Sequence, residues 1–258
     1  MSRAAAATLR EILSLCSLPS ATSPHVLSSI SALLSSVTSA DLGYPAHGEP
    51  LAPCTVHYRP LADSAHASIG VFELGRGASM PLHDHPGAVV SHILFGSVRV
   101  ASFDALADGA NLNELGSTTS ARFAGSARIG AGAGVPRQWL THETGNNIHS
   151  FRAEDTAGDG MWGGGCAILD VVLPPYEGSR HNLSRRARAA AAPVTHASED
   201  RLCTYYAVLG EGGSVVDAFD LAEHAVGSLV TLRTLTSPPP EPLERSPPLA
   251  AALLLQSR

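Results

Sequence analysis

The chain has 258 residues, 17 basic against 23 acidic, a formal charge of -6 and 12 histidines. All the basic residues are arginine, which excludes Schiff-base chemistry, a Walker-type nucleotide lysine and any lysine nucleophile or base. The scattered arginines and negative balance exclude the clustered basic face of a nucleic-acid binder, and no apolar run reaches the ~18 residues of a membrane span.

An apolar content of 44% suffices for one large domain with additions. Cys16, Cys54, Cys166 and Cys203 are widely spaced without a CxxC pair, so neither a disulfide scaffold nor a cysteine zinc site is expected. That suits a reducing compartment, the cytoplasm first and the nucleus as an alternative. The arginine-bearing, serine-rich start weakly resembles a mitochondrial presequence, yet the same residues make a good globular helix.

Up to Ala40 the spacing predicts two helices. Leu9, Ile12, Leu13 and Cys16 share a face in the first. In the second, Ser23 caps, Pro24 takes the first helical position, and Val26, Leu27, Ile30, Leu33, Leu34 and Val37 form a stripe ended by Asp41-Leu42-Gly43. From about Thr55 the period shortens. His57 and His66 flank a candidate strand. Further strands are expected at Ser68–Leu74, Ala88–Phe95, Ser97–Phe103, Ala127–Ile129, Ile148–Arg152, Ala167–Leu173, Thr204–Leu209 and Ser228–Leu232. Short strands separated by turn residues, without helices between them, indicate a β-sandwich or barrel.

Three segments interrupt this pattern. Gly130–Pro136 reads as a turn, and Gly178–Asp200, with Arg185, Arg186 and Arg188, as an exposed insertion rather than an import signal. The proline-rich tail from Ser237 should be extended and poorly packed. The expected organisation is a helical segment at 1–43, a barrel at 44–236 and a tail at 237–258.

The most chemical stretch is Met80-Pro81-Leu82-His83-Asp84-His85-Pro86-Gly87. Residues two apart on a strand face the same way, so His83 and His85 can converge on one ion. A chance His-x-His is the competing reading in so histidine-rich a chain. Gly77 and Gly96 bracket the pair as turns, and Pro86-Gly87 should stop the strand after the second ligand. His149, opening a strand after Gly145-Asn146-Asn147, is the best third ligand. His25, His47, His57, His66, His92, His142, His181, His196 and His224 read as ordinary residues, with His92 a satisfied core histidine.

These positions resemble the cupin pattern, which implies a mainly β fold: a double-stranded β-helix, or jelly-roll barrel, with N-terminal helices. Where that pattern has a glutamate, this chain has Val89 or Val90. Three neutral imidazoles would leave a metal its full charge and open positions, suited to a thiolate and dioxygen. Fe(II) is the favoured ion and zinc the alternative.

The blocks Ser68–Phe103, Gly145–Phe151, Ala167–Tyr176 and Cys203–Tyr206 are similar, in order, to the plant cysteine oxidase and 2-aminoethanethiol dioxygenase family of thiol dioxygenases. The similarity runs from about Asp41 to Leu209. It implies His83, His85 and His149 as iron ligands, with Asp170 and Tyr176 near the iron. It also pairs Cys203 with Tyr205, which form a thioether cross-link in the animal member. A buried cysteine beside a packed aromatic is the other reading here. Asp170 sits in an apolar strand, where a carboxylate needs partners or a task; a bond to the substrate amine or to a ligand histidine is expected, and a structural buried Asp is the alternative.

The chain departs from the family with Ala88 for a methionine, His92 for a lysine, and the insertion after Tyr176. The resemblance implies oxidation of a thiol, an N-terminal cysteine or cysteamine, to the sulfinate with O2, and oxygen sensing through the N-degron route. A different metal cupin enzyme and a non-catalytic cupin module are the rivals. A monomer without nucleic-acid or membrane partners is expected.

Overall fold

A computed structural model describes residues 1–44, 51–85, 87–106, 116–130, 136–141, 147–154, 164–175, 204–223, 226–235 and 243–245. Helix α1 spans Arg3–Cys16 and α2 spans Pro24–Ser35, each opened by a serine whose hydroxyl accepts a backbone N–H from the first turn. Leu9, Ile12 and Cys16 of α1 and Val26, Leu27, Ile30 and Leu34 of α2 are buried, while Leu13 and Leu33 flank the stripe. Each fully buried aliphatic side chain contributes roughly 1.5–3 kcal/mol of transfer free energy, which fastens the helices to the barrel.

The second helix stops earlier than its periodicity suggests, and Ala40–Leu42 forms a separate 3-10 turn closed by Gly43 at φ 84°. Asp41 explains the break. Its carboxylate accepts from the Thr38 backbone N–H, the Thr38 hydroxyl and the Ser2 hydroxyl, tying this turn to the start of α1.

The strands are β1 (Val56–Asp63), β2 (Ser68–Leu74), β3 (Ser79–His83), β4 (Ala88–Phe95), β5 (Ser97–Ala105), β6 (Thr118–Gly130), β7 (Gln138–Thr141), β8 (Ile148–Ala153), β9 (Cys166–Leu173), β10 (Tyr205–Leu209), β11 (Val215–Val216), β12 (Leu229–Leu235) and β13 (Leu243–Arg245). One sheet has the order β13-β1-β2-β9-β4-β7, the other β11-β10-β12-β6-β5-β8-β3. The second sheet closes on itself, because β3 also pairs with β10 through Tyr205↔His83. The architecture is the expected double-stranded β-helix barrel with helices packed outside.

Strand β9 is buried along its whole length, which is why it reads as a continuous apolar run. Ala167, Leu169, Val171 and Leu173 meet the helices, while Cys166 and Ile168 join the barrel interior with Leu74, Ile93, Val98, Val100 and Phe151. The same alternation in β4 sends Ala88, Val90 and Leu94 to the helices and Ile93 inward. Glu73, also buried, accepts from Tyr44 Oη at 2.5 Å and pairs with Arg59 at 2.6 Å, linking the helical segment to β1 and β2.

Besides the short strands β7 and β11, which the sequence reading did not include, two elements depart from it. β6 starts well before Ala127, because Thr119, Ala121 and Phe123 alternate inward but only Phe123 is large. In the proline-rich tail, Leu243–Arg245 pairs in parallel with β1, Val56 opposite Leu243. That triplet is free of proline, so its N–H groups can join a ladder. The insertion 178–200 lies outside the described residues.

Candidate metal centre

The histidines at 83, 85 and 149 come together. His83 ends β3 and sits directly opposite His149 on β8, which places both side chains on one face. His85 does not continue the strand as the His-x-His spacing suggests, because β3 ends at His83. The backbone leaves the ladder because Asp84 N–H donates to the Thr204 carbonyl and His85 N–H to Asn147 Oδ1. The departing loop still swings the His85 ring back, 4.7 Å from His83 and 4.9 Å from His149 between centroids.

Ligand atoms of the three rings all lie within 4.8 Å of one another, and all three residues are buried. His83 Nδ1 lies 2.7 Å from the Pro81 carbonyl. A carbonyl only accepts, so Nδ1 carries the proton and Nε2 keeps the free lone pair. His85 Nε2 and His149 Nε2 face each other at 3.3 Å. Phe151 packs edge-on against His149.

Burial holds the His83 imidazole below its ordinary range, with the Pro81 bond and Asp84 opposing it. His85 is driven well below by burial, then by the charges His83 and His149 would carry. Neutral imidazoles are the form that binds metal. Among the described residues the cluster contains no carboxylate. Val89 shares the inward side of β4 with Ile93, the apolar replacement expected for the cupin glutamate. Ser102, the ladder partner of His149, has a buried hydroxyl without a hydrogen-bond partner among the described residues. The donor set therefore fits a metal ion held by three histidines with coordination positions left open.

Asp170 is buried on the inward side of β9, opposite Ser91 of β4 and Gly70 of β2. Burial lifts its carboxyl to about 7, and the hydrogen bond from Ser91 opposes that rise. Oδ1 has no partner among the described residues. The bond found is thus to Ser91, not to a ligand histidine. Gly70 leaves room for the Tyr58 ring: a Cβ there would meet Tyr58 Oη at 2.4 Å. The Tyr205 ring lies 6.2 Å from that of His83. Tyr176 and Cys203 lie outside the described residues.

Burial raises the Asp84 carboxyl, and bonds from Thr204 and Tyr206 act against it. Sequence reasoning passed over Asp84, Asn147 and Ser91. The first two sat inside motifs already singled out, and Ser91 is the only polar residue beside His92 in an apolar strand. His92 is buried as expected but not satisfied, since Nδ1 has no partner among the described residues. It lines a pocket of about 460 Å³ with Thr38, Ser39, Arg137 and Gln138, on the helix side of β4 and away from the histidine cluster.

A double-stranded β-helix enclosing three buried, converging histidines defines a metal-binding cupin. The chain belongs to the PCO_ADO family, whose profile matches residues 33–187. It is 28% identical over 163 residues to a probable 2-aminoethanethiol dioxygenase of Dictyostelium discoideum, covering 63% of this chain and 60% of that protein. It is 30% identical over 122 residues to plant cysteine oxidase 1 of Arabidopsis thaliana, covering 47% and 37%. In both cases the match spans less than two thirds of the relative's own length. A cupin superfamily protein from Desulfitobacterium hafniense is similar at 17% identity and a TM-score of 0.31, over 48% of this chain and 82% of that one. That likeness is low and says nothing about chemistry. No described helix is long and apolar enough to cross a membrane.

Proposed function

We propose that this chain is an Fe(II)-dependent thiol dioxygenase that converts an N-terminal cysteine, or a small aminothiol such as cysteamine, to its sulfinic acid. The observation that carries the reading is the carboxylate-free cluster of His83, His85 and His149 in a member of this family. The balance is simple: the thiol and one O2 give the sulfinic acid, with both oxygens on sulfur and no other reductant. Bound iron would supply Lewis acidity that favours the thiolate and a meeting point for sulfur and O2.

The chain's own residues would do the rest. The Pro81 carbonyl orients the His83 ring, and Asn147 holds the His85 backbone in place. The Asp170 carboxyl, near neutrality in its affinity for protons, suits hydrogen bonding to the substrate amine. Ile93, Phe151 and Ile168 keep the interior dry. Tyr176 and the pair Cys203 and Tyr205 complete the proposed site, whether or not that pair is cross-linked. A cysteine sulfinate is not readily reversed, so oxidation would commit a target protein to a new fate. Oxygen sensing through the N-degron route, in the cytoplasm or nucleus, follows from this reading. We retain the division at residues 43 and 237 as part of it.

The test is anaerobic iron loading followed by exposure of a Cys-initiated peptide, or cysteamine, to air. A mass gain of about 32 Da, the two oxygens of a sulfinate, is expected with iron and not with zinc. No gain on either thiol despite bound iron would sink the proposal.

A further inference from the structure

We propose that Asp84 is a positioning residue, a clasp that closes the strand ring beside the metal centre and sets Tyr205 against His83. The second sheet closes through one ladder pair, Tyr205↔His83. A single pair is a weak seam, since strands normally meet along several residues. Asp84 supplies what the ladder lacks. Its backbone N–H donates to the Thr204 carbonyl at 3.0 Å. Its Oδ1 accepts from the Thr204 N–H at 2.9 Å, and its Oδ2 accepts from Tyr206 Oη at 2.8 Å.

Three bonds therefore leave one residue, and they grip the positions on both sides of Tyr205. Thr204 is held at the main chain and Tyr206 at its hydroxyl. Tyr205 between them has little freedom to shift, and its ring stands 6.2 Å from that of His83. Thr204 directly precedes β10, so the clasp sits where that strand begins. Carboxylate bonds of this kind are stronger than neutral ones, and leaving the partners unmatched in a buried setting costs more still. An alanine at 84 would empty both side-chain bonds and keep only the backbone one. An asparagine keeps an acceptor for Thr204 and can donate to Tyr206 Oη, so it should preserve the geometry.

The three histidines do not depend on the clasp's side-chain bonds, and the backbone bond to Thr204 that helps turn the chain toward His85 survives in an alanine variant. His83 is held by Pro81 and the β8 ladder, and His85 by Asn147. The clasp should thus govern the wall that Tyr205 presents rather than the capture of metal. This kinetic consequence rests on the thiol dioxygenase reading; the structural one does not.

The experiment compares wild type, Asp84→Ala, Asp84→Asn and Tyr206→Phe. Amide hydrogen exchange in residues 204–209, metal stoichiometry, and KM and kcat for a Cys-initiated peptide are read in parallel. Asp84→Ala should speed exchange in 204–209 by about tenfold or more, the loss of one or two charged hydrogen bonds, while β5 stays protected and iron stoichiometry is kept. Tyr206→Phe should give a smaller rise, and Asp84→Asn should restore most of the protection. KM should rise several-fold in Asp84→Ala and recover in Asp84→Asn. Unchanged exchange in 204–209 overturns the clasp, as does a rise spread evenly over the barrel. Unchanged KM and kcat in a variant whose strand has loosened overturns the positioning of Tyr205. A wild-type protein inactive on thiols defeats the proposed function and leaves the exchange result to decide the clasp.

Discussion

Ser91 and Asp170 face each other across β4 and β9, and the Ser91 hydrogen bond is what opposes the burial that lifts the Asp170 carboxyl to about 7. An unfolded aspartate titrates near 3.9. The fold therefore favours the protonated form, so this contribution is intact below about pH 4, declines as pH rises and is lost above about pH 7.

In metal-free protein, Asp170→Asn should be more stable than wild type at neutral pH, and its advantage should grow from pH 5 to pH 8 by at most about 3 kcal/mol. Buried His83 and His85 titrate in the opposite sense, since their lowered affinity for protons costs stability in acid. The difference between wild type and variant removes that background. Urea midpoints at the two pH values measure it, and a constant difference would contradict the buried charge. Ser91→Ala, lacking the opposing bond, should push the midpoint of the wild-type decline upward.

Glu73→Ala should cost about 3 kcal/mol, because Arg59 loses its buried partner and Tyr44 its acceptor. Arg59 also lies over the Tyr44 ring at 5.1 Å, so the loss loosens the join between the helical segment and the barrel. Glu73→Gln keeps an acceptor for Tyr44 and should be milder. Equal denaturation midpoints for the two variants would show that the charge contributes nothing.

A Cβ on Gly87 would stand 2.1 Å from the Leu173 carbonyl and 2.6 Å from Pro174 Cδ. Backbone cannot yield cheaply, so Gly87→Ala should push the start of β4 from β9, costing about 1–3 kcal/mol. Because His85 lies just upstream, metal affinity should fall with it. Gly77→Ala is the control: its nearest neighbour would be Cys54 Sγ at 3.8 Å, and only its φ of 72° is unfavourable, about 1 kcal/mol. Equal effects of the two substitutions on metal affinity would refute this reading.

His149→Ala should fold, since the residue is held by backbone pairing on both sides, to β3 and to β5. Its ring, however, is one of the three proposed ligands. Wild type should gain about 2.7 kcal/mol of stability at a metal concentration of 100 Kd, and the variant should gain almost none. A thermal shift with Fe(II) or Co(II) under anaerobic conditions reads this directly. A full shift in the variant would show that the third ligand is another residue.

Much of this barrel was legible because its strands announce themselves by size. Ala88–Phe95 and the run to Leu173 are bulky and flanked by turns, so their bounds follow from composition. β6 was mostly hidden, since a strand of Thr, Ser, Ala and Gly alternates in burial without alternating much in hydrophobicity. β13 was hidden differently, because parallel pairing with β1 is a tertiary contact that no local pattern encodes.

At the site, the spacing of His83 and His85 singled out two residues that do converge, but for a partly wrong reason. They meet through a loop held by Thr204 and Asn147 rather than along one strand. The bond between Ser91 and Asp170 depends on the register of β4 against β9, which the sequence does not display.

The ladder between β3 and β8 joins residues far apart along the chain, His83 to His149. During synthesis, a nascent chain therefore carries two of the three imidazoles well before the third leaves the ribosome. Until β8 has emerged and docked, only two of the three imidazoles are on offer. An ion held by all three histidines would therefore enter a barrel whose strands have already closed.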